Sequence, residues 1–105
     1  MSNSANGRRQ YYLDFADFVA DELRKLQRIA THRGQGKAFA AAFRRIFRAL
    51  RKDPNAVGEV LYRLPVLKLQ IRTVVVAPLV IDFAVSEERP IVYIKSGKLL
   101  AARRS

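Results

Sequence analysis

The sequence predicts a single α+β domain: a short N-terminal strand, an α-helical hairpin, then a three-stranded antiparallel meander, with the helices packed on one face of the sheet. Three observations carry this. Two amphipathic helical patterns are separated by a glycine-rich break, a strictly alternating segment follows them, and two further apolar segments are each set off by a turn signal. At 105 residues there is room for one such domain.

Gln10 to Phe15 is aromatic-rich and suited to a strand. Directly after it, Phe18, Val19, Leu23, Leu26, Ile29 and Ala30 recur at three- and four-residue steps, predicting a helix over residues 16–31. Its acids fall early and its bases late, in keeping with the helix dipole. His32-Arg33-Gly34-Gln35-Gly36 breaks the pattern. A second helix over residues 37–52 turns Phe39, Phe43, Ile46, Phe47 and Leu50 inward and Arg44, Arg45, Arg48, Arg51 and Lys52 outward, and Asp53-Pro54-Asn55 ends it.

A loop through Gly58 leads to Leu67-Lys68-Leu69-Gln70-Ile71-Arg72, whose alternation predicts a half-buried strand with Lys68, Gln70 and Arg72 together on the exposed side. Ala77-Pro78 interrupts the valine-rich continuation, and Leu79 to Val85 resumes as a strand. Ser86-Glu87-Glu88-Arg89 then turns the chain into Ile91 to Lys95. On that meander Tyr93 and Lys95 share a face, and the sheet face away from the helices is expected to carry the charges. Asp82 interrupts an apolar strand, where pairing with Lys68, Arg72 or Lys95 is a better reading than a raised pKa and general-base work.

The chain has no cysteine and one histidine, which excludes a disulfide framework, a thiolate metal site and a cysteine nucleophile, so no metal and no cofactor is expected. His32 sits beside a glycine-rich connection, where an exposed histidine needs no catalytic explanation. No apolar run approaches the roughly 20 residues that cross a bilayer, and residues 1–9 read as a disordered lead-in without a signal core. The expectation is a cytoplasmic protein with no membrane partner. Against 9 acids stand 20 Lys and Arg, a formal net charge of +11, which favours an anionic partner such as nucleic acid or an acidic protein.

Local motifs in this order resemble the RelE branch of the RelE/ParE toxin superfamily. Tyr11-Tyr12-Leu13-Asp14-Phe15 and Leu23-Arg24-Lys25-Leu26 resemble the opening strand and helix, and Asp53-Pro54 sits where such proteins leave the second helix. Lys68-Leu69-Gln70-Ile71-Arg72 resembles the basic strand, and Ser96-Gly97-Lys98 the segment after the last one. The resemblance implies a RelE/ParE-like domain over residues 10–99 and a basic tail over 100–105. It also implies a toxin component of a type II toxin–antitoxin system, an acidic antitoxin as partner, and the ribosome and mRNA as targets of an endoribonuclease.

Carried over residue by residue, Lys68 matches a functional lysine of the family's strand; with Arg72 from the same alternating face and Lys98 as a compensating charge it makes the candidate catalytic set, and Gln70, Tyr93 and Lys95 by strand alternation, with Arg103 and Arg104 by charge, are candidate RNA contacts. The set is incomplete. Gln70 stands for a second lysine, Leu79 or Val80 for an arginine, Leu99 for another arginine, and the family's C-terminal tyrosine has no counterpart through Ser105. Three readings stay open: a ribosome-dependent mRNA nuclease, a noncatalytic RelE/ParE-like binding protein, and a ParE-like gyrase inhibitor. The arginine stripe of the second helix reads equally as a phosphate contact and as a solubilising face.

Overall fold

The computed structural model describes residues 10–100, so the expected lead-in before Gln10 and the tail positions Arg103 and Arg104 lie outside the described residues. The chain runs β1 (Tyr12–Phe15), α1 (Asp17–His32), α2 (Gly36–Lys52), a short 3-10 turn (Pro54–Ala56), β2 (Glu59–Leu64), β3 (Leu69–Val76), β4 (Leu79–Ser86) and β5 (Ile91–Leu99). The α+β class, the N-terminal strand and the helical hairpin match the sequence reading. The sheet does not stop at a three-stranded meander plus β1. It has five strands in the order β1-β5-β4-β3-β2 and is mixed.

After β1 the two helices carry the chain across to the far edge, from which β2, β3, β4 and β5 meander back antiparallel until β5 lies beside β1 in parallel. A parallel pair needs a long crossover, and here the helices and the first three meander strands supply it. The added strand, β2, lacks an alternating signal because a bulge between Val60 and Tyr62 shifts its register and five of its six residues are exposed.

Hydrophobic burial closes one side of this sheet. Val19, Leu23, Leu26 and Ala30 of α1 and Phe39, Ala42, Ile46, Phe47 and Leu50 of α2 join Leu13, Val74, Leu79, Ile81, Phe83, Val85, Val92 and Ile94 in one core. The Phe47 ring lies between those of Phe15 and Phe43, with centroids 5.2 and 4.5 Å away and the planes steeply inclined, at spacings where edge-on aromatic contacts are favourable. Gly97 lets α1 come down on β5, since a Cβ there would stand 2.7 Å from a Leu23 methyl. Among the described residues, no helix is long and apolar enough to cross a membrane.

Candidate functional site

Cross-strand partners share a face, so the register assigns the faces of the sheet. Phe83 and Val85 belong to the helix-side core, and their β3 partners are Arg72 and Gln70. The expected orientation of β3 is therefore inverted. Leu69 and Ile71 point to the open face, paired with Ser86 and Ala84, while Gln70, Arg72, Val74 and Val76 point toward the helices. Alternation alone cannot choose between faces when a strand offers an apolar row on either side, and here Val74 and Val76 outweigh Leu69 and Ile71 because they lie under α2.

Arg72 is accordingly buried, 7% exposed, and not a free cation on the surface. Its Nε donates to the Val57 carbonyl at 3.0 Å, one Nη to Gln70 Oε1 at 2.6 Å and the other to the Gly58 carbonyl at 3.3 Å. The guanidinium thus clasps the loop that leads into β2, and Gln70 completes the clasp.

Lys68 is not in a strand. It ends the turn between β2 and β3 with a φ of +54°, its N–H donating to Pro65 at 3.2 Å and its carbonyl accepting from Glu87 N–H at 2.9 Å. A left-handed conformation disfavours any residue with a Cβ. Lys68→Gly is therefore expected to stabilise the protein by roughly 0.5–1 kcal/mol, while Lys68→Ala brings no such gain; urea denaturation of the two variants separates them.

The same turn holds the best-formed ion pair among the described residues. Arg63 of β2 donates through Nε and an Nη to the two carboxylate oxygens of Glu87, at 2.5 and 2.7 Å. That fork holds the Glu87 carboxyl below its ordinary value, with Lys68 adding attraction, and pushes Arg63 upward. Because the folded-state pKa of Glu87 is lowered, its contribution is complete above the ordinary carboxylate range and disappears as pH falls through and below it. Glu87→Gln should lower the melting temperature slightly at pH 7 and make no difference at pH 2–3, which a pH series of thermal melts reads directly.

On β5 the bulge between its pairings with Asp82 and Phe83 leaves Lys95 unpaired and breaks the expected sharing of a face by Tyr93 and Lys95. Tyr93, Ser96 and Lys98 instead line the open face, opposite Ala84, Asp82 and Val80. Asp82 makes no ion pair with Lys68, Arg72 or Lys95; its register neighbours are Thr73 and Ser96. The open face carries charges, but mostly acids in place of the expected Lys68, Arg72 and Lys95. It carries Ile71, Val80 and Ala84, all buried, beside Asp14, Asp82, Glu59 and Lys98.

The candidate catalytic cations are thus dispersed. Lys68 adjoins the Ser86 end of the sheet and Lys98 the Val75–Val80 end, about 20 Å apart along the strands at ~3.3 Å per residue. Arg72 lies between them on the other face. No group of three or more acidic or histidine side chains is assembled for a metal among the described residues.

Two surfaces stand out instead. One is the β2 edge, where Val60, Leu61 and Tyr62 are each about half exposed and Val66 and Leu67 of the following turn are 93% and 63% exposed. Nothing in the sequence pattern marked it, since an exposed apolar edge has no periodicity to read. The other is the outward face of α2, which the arginine spacing did mark. Comparison with family models and with curated proteins returned no match to this chain.

Proposed function

We propose that this chain is a RelE/ParE-like, toxin-type component of a toxin–antitoxin pair that acts by binding, and that its defining contact is an acidic antitoxin segment laid along the β2 edge. The observation that carries this is β2 itself. It is an outermost strand of the sheet, so among the described residues one rim of its backbone N–H and C=O groups has no strand beside it, and its apolar side chains continue into the turn. Natural proteins ordinarily blunt such an edge; here the bulge at Leu61 and the charges of Glu59 and Arg63 interrupt it, yet Val60, Leu61 and Tyr62 stay exposed between those charges. An extended peptide gains main-chain hydrogen bonds from an edge and specificity from alternate side-chain pockets. Lys68, exposed at the end of that turn, and the net charge of +11 favour an acidic one and speed its encounter.

The toxin class rests on the resemblance of residues 10–98 to the RelE branch. Binding is preferred to mRNA cleavage because of the substitutions at Gln70, Leu79 or Val80, and Leu99, and because Lys68, Arg72 and Lys98 do not converge. The test is co-expression with the product of the neighbouring reading frame. A small acidic protein should copurify, and Leu61→Lys should weaken that complex at least tenfold without unfolding the chain. Altered transcript ends on translating ribosomes would replace binding by the nuclease reading, with Tyr93 and Lys98 on the open face as the first residues to examine. Inhibition of purified gyrase would replace it by the ParE-like one.

A further inference from the structure

The outward strip of α2 is chemically unlike the rest of the surface. Its 17 residues hold Lys37, Arg44, Arg45, Arg48, Arg51 and Lys52 and no acid, all six cations are exposed, and neither ion pair among the described residues uses any of them. The neighbouring helix α1 shows the ordinary arrangement, with Asp17, Asp21 and Glu22 balancing Arg24, Lys25 and Arg28. The helix dipole accounts for Arg51 and Lys52 in the last turn. It does not account for Lys37 at the positive end or for three arginines in the middle. Arg44–Arg48 and Arg48–Lys52 are spaced i,i+4, and Arg45–Arg48 and Arg48–Arg51 i,i+3, where like charges repel. An acid at any of several exposed positions would relieve this, and none is present.

The composition of the strip selects its occupant. None of the exposed large apolar side chains of the described residues is on α2, so it lacks the aromatic and aliphatic anchors that fill pockets at the centre of a protein interface or enter a lipid surface. Phe39 and Phe47 are buried and Phe43 half-buried, which leaves no free ring to stack on unpaired bases. What remains is four guanidinium forks and two ammonium groups over about 22 Å of helix, at 1.5 Å per residue, flanked by the small residues Ala38 and Ala41. Guanidinium groups match phosphate oxygens in pairs, and a duplex presents closely spaced phosphates on a rigid path.

We infer that the outward face of α2 is a sequence-independent docking surface for the phosphate backbone of double-stranded nucleic acid. Arg45 lines a groove with Glu59 at the start of β2, but the variants that test the two contacts change different elements, so the two contacts can fail separately.

The test is fluorescence anisotropy with 20-base-pair duplexes of DNA and of RNA across a salt series, comparing the full chain with Arg44→Ala/Arg45→Ala/Arg48→Ala and with Lys25→Ala/Arg28→Ala/Arg89→Ala, which removes equal charge elsewhere. The α2 triple variant should lose at least tenfold in affinity near 100 mM salt, and its slope of log affinity against log salt should fall by about 3, close to 0.9 per lost phosphate contact. The second triple variant should change affinity by under threefold. The DNA and RNA arms identify which duplex is preferred, and binding of either supports the surface. Equal losses in both variants, no duplex binding by the parent, or tighter binding to the single strand or to anionic vesicles would overturn it. Should the α2 variant not fold, NMR shift changes in the parent on adding duplex must fall on α2, and changes confined to the sheet refute the assignment.

Discussion

Arg72→Ala is expected to lower the unfolding free energy by about 3 kcal/mol, a large share of the stability of a domain this size. The guanidinium is buried and its three acceptors, the Val57 and Gly58 carbonyls and Gln70 Oε1, come from two separate segments. Truncation leaves these polar groups without donors, and each unsatisfied buried group costs roughly 1–3 kcal/mol, less where water reaches in beside exposed Gly58. Arg72→Lys keeps the charge but has no fork to span both carbonyls, so it should recover less than half of the loss. Urea denaturation measures both variants. An Arg72→Ala protein as stable as the parent would mean that the side chain is not a structural clasp.

Gly58→Ala is expected to cost at least about 3 kcal/mol, through the same loop by a different route. Gly58 has a φ of +67°, and a Cβ built on it would stand 2.0 Å from the Thr73 carbonyl oxygen and 2.8 Å from its carbon. The colliding atoms are backbone, not the end of a flexible side chain, so β2 and β3 have to part at the point where Glu59 pairs with Thr73. Because Arg72 binds the Gly58 carbonyl, the two substitutions damage one unit, and the double variant should be less destabilised than the two separate losses would give. Thermal unfolding of the two single variants and the double closes that cycle. Full additivity would show that the loop and the guanidinium hold the fold independently.

Both predictions concern residues whose roles were hidden in the chain. The alternation Leu67-Lys68-Leu69-Gln70-Ile71-Arg72 reads as a strand with an apolar inner face, and the strand exists from Leu69 onward. Its polar row nevertheless lies on the helix side, and Lys68 is in the turn. Lys68 and Arg72 looked like neighbours because strand parity placed them on one exposed face, whereas Lys68 lies in the turn and Arg72 on the helix side; Lys98, which parity never placed, lies at the far end of the open face. The basic strip of α2 was legible, because a helix's periodicity separates buried from exposed positions without reference to anything beyond the helix.

Local pattern alone specifies the two helices and their inward residues, the break at residues 33–35, the strands on either side of Ala77-Pro78, the polar turn after Ser86 and the strongly positive charge. Each is a local consequence of backbone preference or of a repeat that one element can satisfy alone. Only the tertiary structure decided that exposed, bulged β2 pairs with β3, that β1 lies parallel to β5, and that Arg72 faces inward. Those outcomes depend on which partner sits across each strand and on which side the helices settle, a competition between residues far apart in the chain that no single segment's pattern contains.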